Sequence, residues 1–309
     1  MPKVSVIGAG RVGATTAQLI AIKGLADVVL VNRTVGTAQG IALDISQSLP
    51  VERANVTVKG TGDYADIAGS DIVVITAGAQ RKEGMSRDDL LKVNAQIVGG
   101  IAKEIKSKAP SSKVIVVSNP LDAMVYITKK ITGFDKRSVI GMAGALDSSR
   151  FSSFIAAELK ASVNEISSTV LGSHGDSMVP LPRFTTVSKK PITELISPER
   201  LNQLVERTRN AGAEIIKLEE SSAFYAPASC VVSMVESILK DEKEVIPCSV
   251  YAQGEYGING VYIGLPTQLG WAGAEKIVGL ELSQKELKML SDSAAKIKAM
   301  MDQIDKMQL

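Results

Sequence analysis

The sequence predicts an α/β protein in which a doubly wound parallel sheet is followed by an α+β region. Three observations predict this architecture. Short β-branched runs alternate with helical stretches through the N-terminal half. The runs at 72–76 and 114–118 consist almost entirely of β-branched residues, which suits strands buried on both faces of a parallel sheet. After about residue 145 the alternation ends, and segments typical of antiparallel strands begin.

The predicted elements of the N-terminal half imply right-handed βαβ crossovers. They are, in order, a strand at 3–7, a helix at 11–23, a strand at 28–31, a helix at 35–49 and the two buried strands. The later predicted elements are strands at 165–171 and 184–187, a helix opened by Ser197 and Pro198, and a C-terminal helix capped by Ser283 and Glu286. We therefore divide the chain into an N-terminal domain, residues 1–144, and a second domain, residues 145–309.

Composition excludes several classes of function. The 309 residues hold 35 Lys and Arg against 33 Asp and Glu, and a net charge of +2 argues against an electrostatic nucleic-acid binder. The chain has no signal-peptide pattern and no apolar run of about 18 residues, so we expect a cytoplasmic protein without membrane contact. Two cysteines, Cys230 and Cys248, and a single histidine form no ligand cluster, so we expect no metal.

A glycine-rich turn joins the first strand to the first helix. Gly8, Gly10 and Gly13 form a G-x-G-x-x-G pattern, which becomes specific because it follows a strand and opens a helix. Gly8 permits the tight turn, Gly10 lets the backbone approach a pyrophosphate, and Gly13 lets the helix pack closely. The helix N-terminus then presents free N–H groups to the phosphates. The pattern predicts a Rossmann dinucleotide-binding domain; the alternative is a glycine-rich turn without a ligand.

The end of the second strand bears on the choice of dinucleotide. An acidic residue there accepts hydrogen bonds from the adenosine ribose, but this sequence has Asn32, followed by Arg33 and Thr34. Asn32 does not repel a 2′-phosphate, and Arg33 is able to pair with one. We therefore predict NADP or NAD as cofactor, with NADP slightly favoured. The alternative is that Arg33 is merely solvated and NAD binds through Asn32.

The only histidine of the chain, His174, lies between glycines in the segment Gly172–Asp176. Histidine is the natural proton carrier near neutral pH, and the flanking glycines allow close approach of a ligand. Asp147 and Arg150 are three positions apart, so on a helix they share a face. The alternative interpretation is structural: a packed or solvated histidine and an ordinary exposed ion pair.

Two segments follow buried strands, at the sheet edge where the ligands of open α/β sheets bind. The first, residues 76–87, contains glycines that suit a mobile lid, and Ser86 with Asp89 is predicted to cap the next helix. The second is Ser118–Pro120. The alternative is that the basic residues of the lid are simply solvated and bind no ligand.

These motifs together resemble the lactate/malate dehydrogenase family, and more closely its tetrameric, lactate-dehydrogenase-like malate dehydrogenases. The resemblance covers nearly the whole chain. It is carried by five motifs in order: residues 8–13, the lid at 76–87, Asn119-Pro120, residues 147–150 and residues 173–176. It implies an NAD(P)-dependent oxidoreductase that acts on a small dicarboxylate, malate or oxaloacetate, and that assembles as a homotetramer.

The resemblance also implies roles for individual residues. His174 would exchange the proton with the substrate oxygen, Asp147 would orient the imidazole, and Arg150 would grip the substrate carboxylate. Arg87 would polarise the carbonyl, and Asn119 would hydrogen-bond near the reacting oxygen. The implied cofactor-binding residues are Gly8, Gly10, Arg11, Val12, Gly13, Asn32, Arg33, Thr34, Gly78, Asn94, Ser118 and Asn119.

Arg81 bears on the substrate, because lactate dehydrogenases of this family typically carry Gln at the matching position. Arg81 is able to pair with a second carboxylate, whereas with pyruvate it would be buried unpaired, at a cost of about 3–5 kcal/mol. That cost corresponds to roughly two to four orders of magnitude. Small Ala226 agrees, because it leaves room for a C4 acid. The argument would be weakened if Lys82 reached inward instead.

Three alternatives stay open. The nearest is a dehydrogenase for lactate or another 2-hydroxy acid. A non-catalytic dinucleotide sensor on the same fold would have little need for a proton donor beside a paired Asp and Arg. A nicotinamide-dependent glycosidase-like enzyme would need a metal site, which the sequence does not suggest.

Overall fold

The computed structural model describes residues 1–79 and 86–307. In these residues, six parallel strands form the N-terminal part of the main sheet: β1 Lys3–Ile7, β2 Asp27–Val31, β3 Val58–Thr61, β4 Ile72–Ile75, β5 Lys113–Val116 and β6 Val139–Gly141. Their spatial order, β3-β2-β1-β4-β5-β6, is that of a doubly wound Rossmann sheet. The predicted fold class of this half is confirmed.

Helices connect these strands and bury both faces of the sheet. They are α1 Arg11–Ile22, α2 Val35–Glu52, α3 Arg87–Lys108 and α4 Leu121–Thr132. Alternate residues of β4 enter different core clusters: Ile72 and Val74 lie in one, and Val73 and Ile75 in the other. The β-branched run at 72–76 thus contains a strand that is buried on both faces, as predicted.

The C-terminal half combines helices with antiparallel strands. Its elements are α5 Gly144–Leu159, β7 Ile166–Ser167, β8 Val170–Gly172, β9 Met178–Pro180, β10 Thr186–Val187, β11 Lys190–Pro191, α6 Pro198–Glu219, α7 Tyr225–Leu239, β12 Glu244–Gln253, β13 Asn259–Gly270, β14 Gly273–Ile277 and α8 Gln284–Asp305. The helix starts at Ser197 and Ser283 are confirmed, since both serines cap a helix through their side chains. The buried face of α8, which includes Leu290, Ile297 and Met301, packs into the core.

Two predicted strands are wrong in their extent. The segment 165–171 contains two strands in different sheets, β7 and β8. Between them the Ser168 hydroxyl donates to the Ser148 carbonyl of α5 at 2.8 Å, which ties the chain to the helix rather than to a neighbouring strand. The segment 184–187 keeps only β10, because a 3₁₀ turn that begins at Pro182 extends to Phe184.

One sheet runs through both halves of the chain. β12 pairs with β6 through Ser249 and Gly141, β13, β8 and β9 continue the sheet antiparallel, and β14 pairs with β13. The described residues therefore place eleven strands in this sheet. Strands β7, β10 and β11 form a separate three-stranded sheet. The predicted division after residue 144 falls beside the link between β6 and α5 and stays a prediction. Within the described ranges, no helix is long and apolar enough to cross a membrane.

Candidate active site

The turn between β1 and α1 is built around close backbone approaches. Gly8 has φ +110°, a conformation that favours glycine, and a Cβ on Gly13 would lie 1.8 Å from the Gly8 carbonyl oxygen. A Cβ on Gly10 would meet no atom within 4 Å, so this side of the turn is open. Helix α1 begins without a side-chain cap or an acidic residue in its first turn. Its first N–H groups therefore fit a dinucleotide pyrophosphate.

Arg11, the first residue of α1, reaches from this turn to the junction of α6 and α7. Its Nη1 lies 3.1 Å from Oε1 of Glu219, and its guanidinium lies 5.3 Å from the ring centre of Phe224. Arg11 and Glu219 are both largely exposed, so their pair contributes at most about 1 kcal/mol. The weak pair leaves Arg11 free to exchange Glu219 for an anionic ligand.

Asn32, at the end of β2, turns its side chain toward the glycine turn. Its Oδ1 accepts from the Ala9 N–H at 3.3 Å, and its Nδ2 donates to the Thr34 carbonyl at 3.2 Å. Arg33 is exposed, and no residue in the described part of the chain pairs with it. A neutral amide and an unpaired guanidinium therefore stand where an acidic residue would select NAD.

The carboxyl ends of β4 and β5 are tied together by side chains. The Asn94 amide donates to the carbonyls of Ala79 at 3.1 Å and Asn119 at 2.6 Å, and its oxygen accepts from the Ala79 N–H at 2.7 Å. The Ser118 hydroxyl donates to the Ala77 carbonyl at 2.6 Å. Asn119 itself is exposed and precedes a cis proline at the start of α4. The two strand ends expected at the site are therefore adjacent.

The central part of the predicted lid, which includes Arg81, Lys82 and Gly84, lies outside the described residues. The side chain of Arg87 lies outside them too, although the residue is placed as the first of α3. The predicted cap of this helix is confirmed, because Ser86 and Asp89 form a reciprocal capping box. The substrate contacts of Arg81 and Arg87 stay predictions.

His174, Asp147 and Arg150 meet at one place. Nδ1 of His174 lies 2.9 Å from Oδ2 of Asp147, and Nη1 of Arg150 lies 3.8 Å from Oδ1 of the same carboxylate. Asp147 and Arg150 are one turn apart on α5, as the spacing predicts. The Asp147 side chain is 2% exposed, against 13% for Arg150 and 17% for His174. A buried carboxylate thus lies beneath a partly open imidazole and guanidinium.

Glycines position the histidine loop. Gly172 and Gly175 have φ of +83° and +125°, backbone conformations that favour glycine. Gly172 also faces Gly264 of β13, where a Cβ would lie 2.4 Å from the Gly172 carbonyl oxygen. This close approach lets β8 pair with β13 directly before the loop that carries His174.

The charges at this place favour a protonated imidazole. Burial lowers the pKa of His174, but the charge and hydrogen bond of Asp147 outweigh it, and the pKa is raised above its ordinary value of 6.5. Burial also lowers the pKa of Arg150, which nevertheless remains charged. Oδ1 of Asp147 and Nε of Arg150 are buried without a hydrogen-bond partner among the described residues. Buried polar atoms of this kind are rare, and a polar ligand would explain them.

The sequence-based prediction missed Asp122. This residue lies in the first turn of α4, is 1% exposed, and accepts hydrogen bonds from Ser173 at 2.8 Å and Ser249 at 2.7 Å. A signal was present, because Asp122 interrupts the apolar run 121–125 directly after the Asn119-Pro120 motif. Its charge is expensive in that setting unless the surrounding groups satisfy it.

Comparisons with known proteins agree with this geometry. Residues 2–141 match the lactate/malate dehydrogenase NAD-binding domain, and residues 144–308 match the alpha/beta C-terminal domain of the same family. A malate dehydrogenase of Roseiflexus sp. (strain RS-1) is 50% identical over 294 residues, which are 95% of each chain.

Solved structures are also similar over almost the full length. The malate dehydrogenase from Salinibacter ruber is 44% identical, with a TM-score of 0.95 and 98% of each chain covered. A lactate dehydrogenase from Cryptosporidium parvum, complexed with lactic acid and nicotinamide adenine dinucleotide, is 39% identical, with a TM-score of 0.95 and coverage of 99% of this chain and 98% of that one. With both halves matched and the dinucleotide turn in place, the chain belongs to the lactate/malate dehydrogenase family.

Proposed function

We propose that this protein is an NAD(P)-dependent malate dehydrogenase, which interconverts malate and oxaloacetate. The observation that carries the proposal is the meeting of His174, Asp147 and Arg150. The fold alone does not separate a catalyst from a dinucleotide sensor. A proton carrier, a buried carboxylate behind it and a guanidinium beside it are what a dehydrogenase needs and a sensor does not.

Each side chain has a chemical task in the reduction of oxaloacetate. The His174 imidazolium donates its Nε2 proton to the carbonyl oxygen, and in the reverse reaction the neutral imidazole accepts the hydroxyl proton. Asp147, bonded to Nδ1, holds the ring orientation and stabilises the positive charge. Arg150 binds the carboxylate next to the reacting carbon through two parallel hydrogen bonds, which orients the carbonyl.

The dinucleotide site is assigned to the glycine turn and the end of β2. Backbone N–H groups of Arg11, Val12 and Gly13 would bind the pyrophosphate, and the segment 32–34 would bind the adenosine ribose. The nicotinamide supplies or accepts the hydride when bound. The exposed Arg33 beside a neutral Asn32 supports use of NADP as well as NAD, with NADP slightly favoured.

Other residues of the cofactor site are proposed to hold backbone loops in place. The side chains of Asn94 and Ser118 are engaged by carbonyls of the strand-end loops, so we assign them to hold these loops beside the nicotinamide. Gly78 belongs to the same loops, and a Cβ there would lie 3.3 Å from Oδ1 of Asn94. Asn119 is proposed to form a hydrogen bond near the reacting oxygen of the substrate.

The dicarboxylate preference rests on Arg81. The family includes both malate and lactate dehydrogenases, so the fold does not choose between them. Arg81 would bind the second carboxylate, Arg87 would polarise the carbonyl, and Ala226 in the first turn of α7 leaves room for the longer acid. We also propose that the protein is cytoplasmic, which agrees with the unpaired, buried Cys230 and Cys248, and that it assembles as a homotetramer.

The test is steady-state reduction of oxaloacetate, with NADH and NADPH assayed side by side and pyruvate as control. We expect turnover with oxaloacetate, and a kcat/KM for pyruvate lower by roughly two to four orders of magnitude. A preference for pyruvate would instead favour a lactate dehydrogenase. No turnover with either acid or cofactor would contradict the enzyme assignment and favour the sensor.

A further inference from the structure

A second buried carboxylate lies behind the histidine loop. Asp122 accepts hydrogen bonds from the hydroxyls of Ser249 on β12 and Ser173 in the loop. The carboxylate thereby joins α4 and β12 to the loop that follows β8. The two hydroxyl donors stabilise an acid that would otherwise be strongly destabilising at this depth.

Ser173 is held from two sides. Its hydroxyl donates to Asp122, and its backbone N–H donates to Oγ of Ser293 on α8 at 2.9 Å. The residue that directly precedes His174 therefore cannot shift without breaking buried hydrogen bonds. The His174 ring, in turn, is held by Asp147 from α5. Backbone and ring are thus fixed by different carboxylates.

A carboxylate is an expensive choice for a purely structural clamp. A neutral amide would also accept hydrogen bonds from serine hydroxyls, and its burial costs much less than that of an ionised acid. The larger desolvation free energy of a carboxylate is explained if its negative charge contributes to function. The nearest candidate for that task is His174, which directly follows the Ser173 that Asp122 holds and whose ring must carry a proton.

We propose that Asp122 is a positioning residue for His174, which fixes the loop through Ser173 and stabilises the imidazolium through its negative charge. The inference rests on the proposed function, because it takes His174 as the proton carrier.

The charged groups around His174 come from two helices. Burial lowers the pKa of His174, Asp147 raises it, Arg150 lowers it and Asp122 raises it. Burial raises the pKa of Asp122 to about 6 despite its hydrogen bonds, so its carboxylate is ionised at pH 8 and mostly protonated at pH 5. Cys230 of α7 faces Asp147 and Arg150, but burial raises its pKa to about 12, so it stays neutral. Asp122 is therefore a charge that His174 experiences only above about pH 6.

The decisive measurement is an NMR titration of the imidazole in protein without a histidine tag. His174 is the only histidine, so its signal needs no assignment. We expect Asp122→Asn to lower the titration midpoint of His174, because the substitution removes a negative charge that stabilises the imidazolium and keeps the size of the side chain. Ser293→Ala is the matched control: it removes the hydrogen bond that holds the Ser173 N–H but does not touch the Asp122 carboxylate, and its midpoint should stay at the wild-type value.

The outcomes are distinct. An unchanged midpoint in Asp122→Asn, or an equal lowering in both variants, overturns the inference, since the charge would then not be responsible. If Asp122→Asn does not fold, the wild-type curve decides. The inference predicts a second inflection near pH 6 in the His174 signal, from the titration of Asp122, and a single inflection contradicts it.

Activity supplies an independent readout. At pH 8, Asp122→Asn should lower kcat for oxaloacetate about 10-fold and leave KM nearly unchanged, because Asp122 supports a catalytic side chain without touching substrate. The alkaline limit of reduction should move to lower pH in this variant only. If even the wild type turns over no substrate, the proposed function fails, whereas the titration still tests the link between Asp122 and His174.

Discussion

Oδ2 of Asp147 lies 2.9 Å from Nδ1 of His174, although 27 positions separate the two residues in the chain. Asp147 is in the first turn of α5, and His174 follows β8. Because an ionised carboxylate only accepts hydrogen bonds, Nδ1 carries a proton, and Nε2 is left to exchange one with substrate. The orientation of the imidazole thus follows from a contact that the fold creates.

Replacement of His174 by Asn should abolish most turnover. General acid–base catalysis contributes about 10²–10⁴-fold, and the chain has no second histidine to substitute for it. The measurement is kcat for oxaloacetate, accompanied by NADH binding followed by cofactor fluorescence, which should change little. Turnover that persisted at the wild-type level would remove His174 from its assigned role.

Replacement of Asp147 by Asn should reverse the direction of the His174 pKa shift. Burial is then the largest remaining influence, and it lowers the pKa below the ordinary value of 6.5. Reduction needs the imidazolium, so its decline with rising pH should begin at lower pH than in the wild type. Malate oxidation needs the neutral ring and should stay active to lower pH. Profiles of kcat/KM in both directions check this, and an unshifted pair of profiles would contradict it.

Replacement of Arg33 by Ser should lower kcat/KM with NADPH about 10- to 100-fold, the worth of one charge-assisted hydrogen bond to phosphate. The value with NADH should not change, because the ribose of NAD carries no 2′-phosphate. The matched variant is Asn32→Asp, whose carboxylate repels the phosphate and should leave NADH favoured. An NADPH/NADH ratio unaffected by Arg33→Ser would show that the guanidinium points to solvent.

Replacement of Gly10 or Gly13 by Ala, at the start of α1, should affect different properties: cofactor binding in the first case and stability in the second. A Cβ at Gly13 would lie 1.8 Å from the Gly8 carbonyl oxygen, so Gly13→Ala should destabilise the fold by about 1–3 kcal/mol. A Cβ at Gly10 meets no atom within 4 Å, so Gly10→Ala should keep the wild-type Tm but weaken NADH binding. Thermal unfolding and binding titrations separate these effects. Equal Tm losses in both variants would argue that Gly10 is structural.

Replacement of Arg81 by Gln should shift specificity toward pyruvate. The substitution removes the partner of the second carboxylate and also the cost of burying an unpaired guanidinium, so the ratio of kcat/KM values should move by roughly two to four orders of magnitude. The change should lie in the substrate parameters and not in the KM for NADH. Oxaloacetate reduction that survived the substitution unharmed would refute the specificity argument, and Lys82→Gln would then test the neighbouring cation.

Local features of this protein were readable from the sequence, because neighbouring residues create them. The strand at 3–7 coincides with β1, and the caps at Ser86, Ser197 and Ser283 begin three helices through hydrogen bonds that span only three residues. The short strands β3 and β6 were not predicted, and 165–171 was predicted as one strand. Strands of this kind are defined by partners far along the chain, which local patterns do not reveal.

Local sequence patterns thus specify the alternation of strands and helices, the glycine turn and the residues capable of acid–base chemistry. The family resemblance pointed to Asp147 as the partner of the lone histidine, whereas the role of Asp122, one of 33 acidic residues, became visible only in the folded chain. Asp147 reaches the histidine from α5 and Asp122 from α4, and both carboxylates are nearly or fully buried. Burial sets the pKa of each group through atoms supplied by distant elements, β12 and α8 among them. Desolvation is a property of a packed neighbourhood, and no stretch of neighbouring residues specifies it.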